Sequence, residues 1–155
     1  MIHYRNAARV RGVNSRALVT TAKQLLCAVD EGEASLSLSL VRDAEIREIN
    51  RQHRRKDRAT DVLSFAIDGG APPNGARDAA APERLLGDVV ISVETARRQA
   101  ADYDASLQDE IYRLLIHGLL HLLGHDHERA GERRVMQREE CRLAGAIGLT
   151  YVAPG

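Results

Sequence analysis

The stretch from His117 to His127 reads H-G-L-L-H-L-L-G-H-D-H and holds four of the chain's six histidines. On a helix, His117 and His121 stand about 6 Å apart along the axis and project from one face, close enough to share a cation. Gly124 tolerates positive φ, so the helix can end there and the chain can turn His127 back toward the same point. Three neutral imidazoles that leave a position for water are a recurring catalytic zinc arrangement. Imidazole suits nickel and iron as well, so the expectation is one Zn²⁺ per chain, with Ni²⁺ or Fe as alternatives. His125 follows His121 by four residues and would compete as a ligand if the helix ran on. Gly124 argues for His127 and leaves His125 and Asp126 beside the site. Two plainer readings stand next to this one: histidines without a metal, and a structural zinc closed by Cys27 or Cys141 as fourth ligand.

The spacing H-x-x-x-H-x-x-G-x-x-H is also that of the metzincin proteases, in which a glutamate after the first histidine is the general base. Here that position is Gly118. A cradle without its carboxylate makes peptidase a minor alternative. A second stretch, Arg51 to Asp61 (R-Q-H-R-R-K-D-R-A-T-D), sets five basic residues against two acidic ones. Most charge runs are only solvated surface. Beside an open metal site, however, guanidinium forks suit a phosphodiester. Arg55, Lys56 and Arg58, with Ser64 on the strand that follows, are the candidate substrate contacts. Aromatic residues are only 3% of the chain, with no Trp and one Phe, so the base-stacking platforms of the usual RNA-binding modules are unavailable. Charge and groove shape must then do most of any RNA binding.

Helices and strands must hold these groups. Leu18, Ala22, Leu25, Leu26 and Val29 recur at helical intervals and predict a helix from about Ser15 to Val29. Ser35 to Leu40 alternates serine with leucine, a half-buried strand. A short helix from Asp43 to about His53 precedes two β-branched-rich strands, Asp61 to Ile67 and Leu86 to Val93. The Gly-, Ala- and Pro-rich segment between them, Asp68 to Glu83, reads as a loop. Ser106 opens a capping-box-like start to a helix that is apolar on most sides through Leu123, so the metal histidines ride on a central, buried helix. A last helix, about Ala130 to Ile147, turns Met136, Leu143 and Ile147 inward. Glu140 lies at the border of that stripe, either exposed or a partner to a ligating histidine.

Length and charge bound the rest. At 155 residues and 44% hydrophobic, the chain suits a single domain, residues 1–155. Acidic and basic residues balance at 22 each, which excludes a grossly basic nucleic-acid coat. With two cysteines, no apolar leader and no span long enough for a bilayer, a cytoplasmic protein without a membrane partner is expected.

Three separated blocks carry a resemblance: H-G-L-L-H-L-L-G-H-D-H, N-x-x-H-R-x-K-D-x-x-T-D-V-L-S-F from Asn50 to Phe65, and L-G-D-V-V-I-S from Leu86 to Ser92. In this order they resemble the YbeY family of bacterial ribosomal-RNA maturation factors, over Asn50 to roughly Ile147. The resemblance implies an α+β fold with a four-stranded mixed sheet and about five helices. It implies a zinc-dependent, single-strand-specific endoribonuclease that matures the 3′ end of small-subunit ribosomal RNA and takes part in ribosome quality control. The small ribosomal subunit and an assembly GTPase would be its partners. His117, His121 and His127 match the family's zinc ligands and Arg54 the arginine tied to its nuclease activity. Ala59 and Ala66 stand where the family often has proline, and His125 where it often has tyrosine. Two alternatives of other classes are a ribosome-assembly RNA-binding factor with a structural zinc and a metal-dependent hydrolase of a small phosphorylated or amide substrate.

Overall fold

Alternation in β2 (Ser35–Val41) turns Leu36, Leu38 and Leu40 to one face, where each is fully buried, and leaves Ser37 and Ser39 half-buried on the other. The computed structural model describes residues 1–67 and 84–150, so the predicted loop Asp68–Glu83 lies outside the described residues. Around β2 the sheet has the order β1-β2-β4-β3, with β1 (Ile2–Asn6), β2 and β4 (Leu85–Ser92) parallel and β3 (Val62–Ala66) antiparallel at the edge. Gly87 makes β4 irregular: at φ +150° its missing Cβ would fall 2.2 Å from the Phe65 carbonyl. The pairing with β2 shifts there, which lets Leu86 and Val89 both join the main core.

On the leucine face lie α1 (Ser15–Ala28), α4 (Leu107–Leu122) and α5 (Ala130–Ala146), whose Leu18, Leu25, Leu115, Leu119 and Leu143 are all 0% exposed. Each starts or stops where local chemistry allows. Asn14 caps α1 by accepting from the Ala17 amide, and Ser106 caps α4 by accepting from the Asp109 amide. The other face carries α2 (Asp43–Arg54), whose Ile46 packs with Val41, Leu63 and Val90 and, at the margin, Ile49 and Phe65. Thus α4 presses directly on β3 and β4, between α3 (Val93–Asp102) and α5. The expected α+β class, mixed four-stranded sheet and central helix carrying His117 and His121 are what the structure has. Two elements carried too little periodicity to be predicted individually, the five-residue β1 and the alanine-rich α3. Among the described residues no helix is long and apolar enough to cross a membrane.

Candidate metal centre

The sequence ends α4 by satisfying its last carbonyls in a Schellman turn. Gly124, at φ +93°, donates its amide to His121 O at 3.0 Å, and His125 donates to Leu120 O at 3.0 Å. The turn reverses the chain, so His127 comes back over the helix end. Its ring centroid lies 5.7 Å from that of His117 and 5.4 Å from that of His121. One nitrogen from each of His117, His121 and His127 lies within 4.8 Å of the others, so the three could hold a metal ion. His117 and His121 are half-buried and His127 is exposed.

The donor set fits zinc. The Nε2 atoms of His117 and His121 stand 3.1 Å apart, against about 3.4 Å between two ligands on a tetrahedral zinc at Zn–N of about 2.05 Å. His117 directs its other nitrogen, Nδ1, at Glu140 Oε1, 3.6 Å away. A proton on Nδ1 is therefore favoured, which leaves the Nε2 lone pair for a cation. Burial first, then the neighbouring His117 and His127, push the His121 pKa below its usual value, while a hydrogen bond to the His125 backbone opposes the shift. Neutral imidazole is the form that ligates. Asp126 Oδ1 accepts from the His127 amide at 2.7 Å and the Glu128 amide at 3.3 Å, and Arg133 Nε donates to the His127 carbonyl at 3.2 Å. These bonds hold the exposed ligand's backbone. Cys27 and Cys141 are exposed and free, and neither joins the histidine cluster among the described residues.

Gly118 is where helix and sheet meet. A Cβ there would lie 2.8 Å from Val89 Cγ1, 3.0 Å from Ser64 Oγ and 3.2 Å from Val62 Cγ2. No carboxylate side chain fits at this position, which gives a steric reason, beyond the missing base, against the peptidase reading. Ser64 fills the space by donating its hydroxyl to the Gly118 carbonyl at 2.9 Å. Arg54 then donates from Nη2 to the Ser64 carbonyl at 2.7 Å. One residue of β3 thus links the guanidinium to the helix that carries the ligands. Arg55, Lys56 and Arg58 are exposed on the loop after α2.

Sequence reasoning gave no role to Asn50, which holds that loop. Its Nδ2 donates to the Arg58 carbonyl at 3.0 Å, and its own carbonyl accepts from the amides of Arg55 and Lys56. An asparagine immediately before the basic stretch, at the head of the Asn50–Phe65 block, was the available signal. Asp61 accepts from the Val62 amide at 2.8 Å and, through its other oxygen, from Gln99 Nε2 at 3.4 Å. Glu110, fully buried, accepts from Arg113 on the α4 face that also carries His117.

Comparison with known proteins agrees with this architecture. The sequence model of the Endoribonuclease YbeY family matches residues 3–148. An Endoribonuclease YbeY of Pelotomaculum thermopropionicum is 47% identical over 134 residues, covering 86% of both chains. One of Syntrophotalea carbinolica is 40% identical over 149 residues, covering 95% of both. A solution structure of a Thermotoga maritima protein shares the fold, with a TM-score of 0.63 over 100% of this chain and 99% of that one at 23% identity. With the family's model covering the sheet, the histidine helix and the basic loop alike, the chain belongs to the YbeY family of endoribonucleases.

Proposed function

We propose that the protein is a zinc-dependent endoribonuclease that cuts single-stranded RNA in the cytoplasm, acting on the 3′ end of small-subunit ribosomal RNA and in ribosome quality control. The small subunit and an assembly GTPase are the partners proposed with it. The observation that carries the reading is the juxtaposition of a three-histidine cluster with an arginine reached through Ser64 and Gly118. Family membership supports RNA as the substrate. Held by His117, His121 and His127, zinc would supply Lewis acidity toward a phosphoryl oxygen and lower the pKa of a water to about 7.

The chain's own groups do the rest. Glu140 orients His117 through Nδ1, and the His125 backbone and Asp126 hold the approach of His121 and His127. Arg54 spends one N–H on Ser64 and keeps the others for phosphoryl oxygens as charge develops on them. Arg55, Lys56 and Arg58 neutralise flanking phosphates, and Ser64 positions Arg54 against the helix. A cluster of three protein ligands among the described residues favours an open coordination position over a closed structural one.

The test is cleavage of a labelled single-stranded RNA by wild type, Arg54→Ala and His121→Ala, with folding and zinc content measured in each. Folded, zinc-replete Arg54→Ala should lose at least about a hundredfold in rate, as when a transition-state donor is removed, and His121→Ala should lose both zinc and cleavage. Equal cleavage by all three preparations would assign the activity to a contaminant.

A further inference from the structure

We infer that His53, Phe65 and Arg54 form a seat for one unpaired nucleobase of the RNA strand, an inference that rests on the endoribonuclease reading above. Phe65 is the chain's single phenylalanine. It is half-buried on the edge strand β3, its inner side against the small cluster under α2. The His53 ring stands 5.3 Å from the Phe65 ring at 58°, and the Arg54 guanidinium carbon lies 5.5 Å from the same ring centroid. Both flanking side chains are exposed. Composition argued against a stacking platform of the usual kind, yet the fold gathers three flat groups at one place.

The surrounding chemistry selects a nucleobase over a peptide. Asp61 O and Ile67 N bond to β4, so along β3 the groups of Val62, Ser64 and Ala66 point outward. Two of these are taken: Asp61 Oδ1 holds the Val62 amide, and Arg54 holds the Ser64 carbonyl. Both contacts compete with an added peptide strand for this edge. Flat groups next to a basic loop are what a single-stranded nucleic acid needs, bases stacking while phosphates meet cations. Stacking is tolerant of base identity but requires a base free of its pair. The seat therefore deepens the proposed activity by giving a reason for single-strand preference.

The probe is a short single-stranded RNA carrying 2-aminopurine at successive positions, titrated with wild type, Phe65→Leu, His53→Ala and His53→Phe. Phe65→Leu keeps apolar packing against Leu63 and Val90, and thermal unfolding confirms that each variant is folded. Wild type should quench emission at one position. Phe65→Leu and His53→Ala should bind about tenfold more weakly and lose the quench, in the range expected for losing one base–aromatic stack. His53→Phe should keep both. An abasic ribose at that position should weaken wild type by a similar factor and leave Phe65→Leu unchanged. If abasic residues at every position leave wild-type affinity unaltered while Arg54-dependent cleavage persists, the seat is refuted and the nuclease reading survives. If wild type neither binds nor cuts the RNA, the nuclease reading fails and the seat falls with it.

Discussion

On α4, Leu114, Leu115, Leu119 and Leu120 are at most 1% exposed, whereas every residue from Arg51 to Ala59 is exposed. The two regions meet at Ser64 and are the two halves of the proposed site, yet they are held by different means. Ligands must keep their geometry to fractions of an ångström, which a helix packed on both sheet and helices provides. Long cations tolerate motion in the role proposed for them along an RNA backbone, and a loop pinned through Asn50 suffices for that role. The ion pairs near that loop, Arg47 with Asp57 and Arg51 with Glu48, are exposed, and pairs of this kind add little stability. Rigidity is concentrated on the helix that carries His117 and His121.

The contrast breaks most sharply at Gly118. Alanine is favoured over glycine in a helix by about 1 kcal/mol, but overpacking a tight core costs about 1–3 kcal/mol. Val89 is fully buried and stiff, and Ser64 is tied to the Gly118 carbonyl, so neither can retreat from the new methyl. Urea unfolding should therefore show Gly118→Ala destabilised by up to about 2 kcal/mol, the overpacking cost less the helix-propensity gain. Gly118→Glu, which restores the metzincin base on paper, should lose more than about 3 kcal/mol because it buries an unpaired charge as well. A Gly118→Ala stabilised by the full helix-propensity gain of about 1 kcal/mol would mean that α4 is not pressed on the sheet, and the contrast would lose its foundation.

A milder probe uses pH on the metal-free protein. His121 titrates below its usual value in the folded state and near about 6.5 when unfolded. Between those values the unfolded chain takes up a proton that the folded chain resists. Stability should thus fall as pH drops below about 6.5, and flatten once the folded-state pKa is passed. Chemical denaturation across this range should show the slope in wild type and lose it in His121→Leu. Asp57, on the loop, has a lowered pKa held by Arg47. Its exposure makes any dependence there small and sensitive to salt.

Legibility in the sequence followed the same division. His117, His121, Gly124 and His127 could be read because helical spacing and a turn glycine fix geometry locally. Leu36, Leu38 and Leu40 announced their strand by alternation for the same reason. What escaped depends on contacts between distant segments. Gly118 read as a missing base, when its neighbours are Val89, Ser64 and Val62 from two strands. Asn50 read as part of a motif, when its work is to hold the Arg58 carbonyl. Phe65 and His53 are twelve residues apart, and only the packing of α2 on the sheet brings their rings together. Periodicity reports which face is buried, not what that face meets.

The smallest effect, and the most discriminating between the regions, belongs to Arg55. It sits just after α2 at φ 56°, ψ 30°, the left-handed conformation. An L-residue there costs about 1 kcal/mol or somewhat more, and glycine avoids that cost while giving part of it back through a more flexible unfolded chain. Arg55→Gly should therefore stabilise the fold by up to about 1 kcal/mol, raising Tm by about 2–4 °C for a chain of this size. The same change removes one cation from the strand-facing loop. Affinity for single-stranded RNA should weaken, and the slope of log K against log salt should shrink by about 0.7. Stability and binding would then move in opposite directions from one substitution on the loop. A variant that loses both, or gains stability with an unchanged salt slope, would show that Arg55 belongs to the scaffold and not to the surface that meets RNA.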